Sequence, residues 1–138
     1  MAANDPVIQF DGYKINKLHY DTISETIYNK KFADNESDMD VSCALDYKSR
    51  NGSCIITCSI GNSIFGYRQL HLEVVGAFSL RQDISERDAK KYIATNGAAM
   101  LYPYVRTIVS VVTSLDSPKV NVLPSLNFLD AYNESQHD

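Results

Sequence analysis

Between residues 95 and 116 apolar side chains return at intervals of one, three and four: Met100, Leu101, Tyr104, Val105, Ile108, Val111, Val112 and Leu115. At a period near 3.6 they form one stripe of a long helix, with Arg106, Thr107, Ser110, Thr113 and Ser114 on the other side. Either Thr95 or Asn96 is expected to cap its start, because both side chains can accept from orphan backbone donors of a first turn. Asp116, Ser117 and Pro118 are expected to end it. Pro103 lies inside the run, where it removes a backbone donor and crowds the carbonyl of Ala99, so a local bend is expected there. An apolar, proline-punctuated exit segment follows as far as Phe128.

Upstream the period changes from helical to alternating. Residues 10–20 read as a strand in which Tyr13 and Ile15 share one phase and Leu18 and Tyr20 the other, a slip that suggests a bulge or an edge. Residues 22–37 mix Asn, Lys, Asp and Glu with few apolar groups and are expected to form a loop crossing the sheet. From Asp38 onward Met39, Val41, Cys43, Leu45 and Tyr47 alternate with Asp40, Ser42, Ala44 and Asp46, the pattern of a half-buried strand. Arg50-Asn51-Gly52 is expected to turn the chain into a second strand over 54–60, and Gly61-Asn62-Ser63 into a third over 64–80, where Leu70, Leu72, Val74, Phe78 and Leu80 share a phase. Short loops favour pairing of consecutive strands, which gives roughly a four-stranded antiparallel meander. Ser85 to Asp88 has capping-box spacing and should start a short helix over 86–94. The expected fold is therefore α+β: one sheet, then a short and a long helix, in a single domain over residues 1–138.

Two helices cover one face of such a sheet, yet the strands carry apolar residues on both phases, as in Ile55 beside Ile56 and Val74 beside Val75. Uncovered apolar surface of that kind marks an oligomer interface or a binding groove. A formal net charge of −4 and a pI near 5.3 leave no basic stripe to neutralise phosphates, which argues against nucleic-acid binding and favours a basic partner. No apolar run is long enough to cross a bilayer and no signal pattern opens the chain, so the expected compartment is the cytoplasm. Three cysteines at irregular spacing fit that compartment, not a disulfide framework. Cys54 and Cys58 would share a strand face with Cys43 nearby, but a spacing of four along a strand is too wide for one metal ion. His19, His71 and His137 are scattered, and neither a phosphate loop nor a nucleophile elbow is present. No catalytic residue, metal site or cofactor is expected.

The run Leu101-Tyr102-Pro103-Tyr104-Val105-Arg106, continued by Ile108, Val109 and Ser110, and the later run Val122-Leu123-Pro124-Ser125-Leu126-Asn127-Phe128 with Ala131-Tyr132, resemble the signature region of the SecB family of protein-export chaperones. The resemblance extends more loosely to residues 41–46 and 70–78. It implies an ATP-independent cytoplasmic holdase without a catalytic site, assembled as a homotetramer, a dimer of dimers. It also implies an apolar substrate groove formed here by Val41, Cys43, Leu45, Ile56, Val122, Leu126 and Phe128. Phe128 could instead staple the exit segment to the core. Leu70, Leu72 and Val74 match positions at subunit contacts in the family, although alternation alone leaves an intrasubunit core equally open. Asp21 and Glu73 resemble the acidic residues that dock the SecA motor. Lys17 falls near a third such position with the charge reversed, and the chain ends soon after Tyr132, without the final helix and tail that reach SecA. Some SecB-like proteins serve toxin–antitoxin systems with one dedicated client, a role open to this chain beside preprotein export. The same groove could also carry a small apolar ligand.

Overall fold

The computed structural model describes residues 6–34, 37–116, 122–124, 128 and 132. Four antiparallel strands, β1 (Ile8–Thr22), β2 (Ser37–Asp46), β3 (Asn51–Asn62) and β4 (Arg68–Leu80), form one sheet in the order β1-β4-β3-β2. The consecutive strands β2, β3 and β4 make a meander. β1 does not continue it: the first strand pairs with the last, and the chain crosses from one edge of the sheet to the other between β1 and β2.

The phase slip in β1 is a bulge, and a second bulge that the slip did not show precedes it. Register shifts fall between Phe10 and Gly12 and between Ile15 and Lys17. Each shift adds a residue opposite an unbroken β4 and so resets the alternation. Ile8, Phe10, Tyr13, Ile15, Leu18 and Tyr20 consequently stand opposite Leu80, Phe78, Gly76, Val74, Leu72 and Leu70, all on one face. Gly12, at φ 142°, takes up the first distortion in a conformation L side chains rarely adopt.

The crossing connection contains a helix, α1 (Glu25–Phe32), where the sequence suggested only a loop. Ser24 caps it, its Oγ accepting from the Ile27 amide at 3.2 Å, and Lys30 and Lys31 sit in the last turn where the dipole favours cations. Only Tyr28 and Phe32, four residues apart, are buried. They dock over Gly61, where a Cβ would lie 2.7 Å from the Phe32 ring and 2.8 Å from Tyr28. Gly61 is thus a close-packing residue inside β3 and not the turn. The turn lies further on, with Gly66 at φ 75°, and β4 begins at Arg68. The preceding hairpin turns one step earlier than expected, with Arg50 at φ 60° and Asn51 and Gly52 already in β3.

On the face opposite α1, α2 (Glu86–Tyr92), a π-helical turn (Ile93–Gly97) and α3 (Ala98–Ser114) run on one from another. Ser85 caps α2 through the Asp88 amide at 3.1 Å, as the capping-box spacing predicts. No cap separates α2 from α3, because residues 92–98 remain right-handed helical, and Pro103 is accommodated within α3. Thr95 instead turns its hydroxyl back to the Lys91 carbonyl at 2.7 Å. The core lies between this helical layer and the inner face of the sheet. Cys54, Ile56, Cys58, Leu70, Leu72, Val74 and Phe78 meet Ile93, Leu101, Val105 and Val109, each at most 1% exposed. Thr113 joins them because its hydroxyl bonds the Val109 carbonyl at 2.7 Å and leaves its methyl to pack. At the far end of α3 the Asp116 carboxylate accepts from Arg68 at 2.7 Å and from the Tyr20 hydroxyl at 3.0 Å, fixing the helix to β4 and β1. Among the described residues no helix is long and apolar enough to cross a membrane.

Candidate functional site

The inner face of the sheet is wider than the helices that lie on it. On the β2 flank, Met39, Val41, Cys43 and Leu45 stand directly opposite Cys58, Ile56, Cys54 and Gly52, so all four face the helical layer. Coverage fades toward the edge. Ile56 is fully buried, while its neighbour Val41 is 37% exposed, Cys43 is exposed and Met39 and Leu45 are half-buried. One end of the row is closed by the Tyr47 hydroxyl, which donates to the Ile84 carbonyl, and by the Arg50 guanidinium, which lies over the Tyr47 ring and bonds the same carbonyl at 3.2 Å. Among the described residues β2 has a single strand neighbour, β3, and so is an edge strand of the sheet.

The exit segment docks on the same helix. Tyr102 donates to the Pro124 carbonyl, and the Arg106 Nε donates to the Leu123 carbonyl at 3.0 Å. Leu123 and Phe128 are buried, the Phe128 ring meeting Tyr102 edge-on at 5.4 Å, while Val122 is 67% exposed. Burial, with Cys58 close by, raises the Tyr102 hydroxyl above its ordinary value, so it stays protonated and keeps donating.

The structure therefore sorts the residues that the resemblance assigned to a groove. Val41, Cys43 and Leu45 form one partly accessible row. Ile56 does not join their accessible surface, because it lies under the helices with no exposed area. Phe128 staples the exit segment, Val122 points an apolar side chain to solvent, and Leu126 lies outside the described residues. Leu70, Leu72 and Val74, expected at subunit contacts, are 0–1% exposed within the single chain; they are its own core, covered by its own helices.

A second uncovered apolar surface, absent from the expected set, lies on the β1 flank. Tyr13, Ile15 and Leu18 are 44%, 45% and 42% exposed, and beside them α3 presents Met100, Tyr104, Val111 and Leu115 at 37%, 40%, 53% and 73%. The aromatic rings of Phe10, Tyr13 and Tyr104 join strand to helix, with Tyr13 and Tyr104 4.6 Å apart. The helical stripe drawn from spacing thus splits: Leu101, Val105 and Val109 are core, and the Met100–Tyr104–Val111–Leu115 side stays exposed, with the Tyr104 ring against Phe10 and Tyr13.

The outer face of the sheet is more polar. Asp21 and Glu73 both lie on it, Asp21 exposed and opposite Gln69, Glu73 half-buried and directly opposite Lys17. Asn16 also donates to the Glu73 carboxylate at 3.2 Å. Asp21 borders a cleft of about 550 Å³ beside α1, shared with His19, His71, Lys31 and Asp38.

Neither a family model nor a curated protein sequence matches the chain. Among solved structures the chain is similar to a SecB-like chaperone of Mycobacterium tuberculosis, determined in complex with a ChAD peptide from the HigA1 antitoxin. The TM-score is 0.60 at 17% identity, over 87% of this chain and 91% of that one. It is also similar to a protein of unknown function from Streptococcus agalactiae, with a TM-score of 0.53 at 12% identity, over 86% of this chain and 97% of the other. The fold is SecB-like.

Proposed function

We propose that the chain is an ATP-independent holdase chaperone that takes an extended, unfolded polypeptide onto the apolar surface beside its long helix, in the cytoplasm and without a cofactor or catalytic step. The observation that carries this function is the half-covered row of Met39, Val41, Cys43 and Leu45 on the edge strand β2, together with an exit segment that exposes Val122. An unfolded client offers scattered apolar side chains and unpaired backbone. A row of apolar sites on an edge strand can meet both, binding each segment weakly and gaining avidity as the client wraps.

Two client classes fit such a surface. A dedicated antitoxin is favoured over preproteins bound for the Sec translocase, because Lys17 faces Glu73 across β1 and β4 and offsets the acidic pair that SecA docking would use. The M. tuberculosis neighbour bound to an antitoxin peptide supports the same choice. Delivery to SecA is the second reading, carried by Asp21 and Glu73 on one face. The working assembly is a homotetramer whose contacts use the β1-flank surface, since apolar side chains grouped in that way need a partner.

Suppression of aggregation of a chemically unfolded client tests the function. Val41→Asp places a charge in the open row without touching the core, so holdase activity falls while the circular dichroism spectrum stays that of wild type. Undiminished activity in Val41→Asp would move the client surface elsewhere. Binding of purified SecA with an affinity sensitive to Glu73→Lys would restore the export role.

A further inference from the structure

Cys43 and Cys54 are directly opposed across β2 and β3, and their sulfurs lie 2.8 Å apart. Directly opposed residues of an antiparallel ladder have Cα atoms about 4.5 or 5.5 Å apart, and both spacings fall in the range that a disulfide spans. The two thiols differ in access: Cys43 is exposed on the edge strand, whereas Cys54 is fully buried. The Cys54 sulfur also lies 3.2 Å from the Ile93 carbonyl, an alternative acceptor for its one proton where α2 passes into the π-helical turn, and Gly97 of that turn packs against it. We propose that Cys43 and Cys54 are a redox modification site, Cys43 the thiol that a hydroperoxide oxidises and Cys54 the resolving thiol that closes an intrachain disulfide.

The electrostatics assign the two roles. The hydrogen bond from Cys54 lowers the Cys43 thiol below its ordinary value against the opposing effect of its own partial burial, while the same bond and burial raise Cys54. The thiolate therefore forms on the accessible sulfur, and the proton stays on the buried one. Cys58, pushed up to about 11 by burial, remains a protonated bystander on the same face of β3.

The step balances with a hydroperoxide as oxidant. The Cys43 thiolate attacks the peroxide oxygen, the O–O bond breaks, and Cys43 becomes a sulfenic acid as the departing oxygen leaves as water or alcohol after taking up a proton. The Cys54 sulfur then attacks Cys43, the S–O bond breaks, and the hydroxyl departs with the Cys54 proton as water. Two sulfurs lose one electron each to the peroxide, and the disulfide forms. The Cys54 thiol is no longer available to the Ile93 carbonyl, and Cys43 is drawn toward Cys54, away from the open row. The effect on client binding rests on the holdase reading; the disulfide does not.

The test is limited hydrogen peroxide treatment of the purified chain, followed by intact mass and a non-reducing peptide map. The expected product has lost two hydrogen masses, carries a Cys43–Cys54 link that a dithiol reverses, and no longer takes a maleimide at Cys43. Cys58→Ser leaves the link intact, and Cys43→Ser, at an exposed position, abolishes it in a folded chain. Accumulation of oxygen adducts on Cys43 with Cys54 still free, or Cys43 linked only between chains, would overturn the assignment.

Discussion

Leu72→Ala separates a core residue from an interface residue. Leu72 has no exposed surface within one chain and sits at the centre of β4, between Cys58 of β3 and Leu18 of β1. Truncation removes three carbon atoms. At about 0.8 kcal/mol for each buried methylene the transfer loss alone is roughly 2.4 kcal/mol, and the cavity left behind brings the total to about 3–4 kcal/mol. Domains of this size are commonly stable by about 5–15 kcal/mol, so the variant folds with a reduced margin. With a urea slope of about 2 kcal/mol per molar, the unfolding midpoint falls by about 1.5–2 M. The assay is urea titration followed by circular dichroism at fixed protein concentration, because assembly would make the midpoint concentration-dependent. An unchanged midpoint with a smaller assembly in light scattering would refute the placement of Leu72 under the chain's own helices.

On the β1 flank, Tyr104→Ser combined with Leu115→Ser should lower the mass found by light scattering and leave the circular dichroism spectrum unchanged; an unaltered mass would put the contacts elsewhere. Gly61→Ala forces a Cβ against Phe32 and Tyr28. Overpacking of this kind costs about 1–3 kcal/mol, and it should speed hydrogen exchange in α1 before the sheet; uniform protection would show that the helix does not depend on that contact. The Arg68 guanidinium, with Tyr20, holds the Asp116 carboxyl below its ordinary value. A depressed carboxyl contributes stability that is complete above the ordinary carboxylate range, near about pH 4, and is lost as pH falls through the lower folded value. The thermal-midpoint gap between wild type and Asp116→Asn should be present at neutral pH and close in strong acid, and a gap that does not change with pH would assign the loss to packing.

Much of the fold is legible because two periods dominate the sequence. Alternation places β2, β3 and β4, and the second bulge of β1 is visible in the phase slip between Ile15 and Leu18. α1 is hidden because only Tyr28 and Phe32 are buried, too few apolar positions to set a period; Ser24, followed by Glu25 and later by Lys30 and Lys31, was the available cue. The glycines mislead for a related reason. Gly61 looks like a turn residue, but its missing side chain makes room for a helix that arrives from elsewhere in the chain. Coverage is what one sequence cannot convey. Val41 and Ile56 read alike in their strands and are direct neighbours, yet the helical layer buries Ile56 and leaves Val41 open. The same limit divides Leu101 from Met100 and Leu72 from Leu18. The close approach of Cys43 to Cys54 depends on strand register, which spacing within one strand does not contain.

The most direct test of the holdase account is light scattering on the size-fractionated protein, alone and after dilution with a urea-unfolded client. The account predicts a stable complex with the unfolded client, none with the folded form, and loss of the complex in Val41→Asp while assembly persists. An assembled, folded protein that forms no complex with any unfolded client would contradict it.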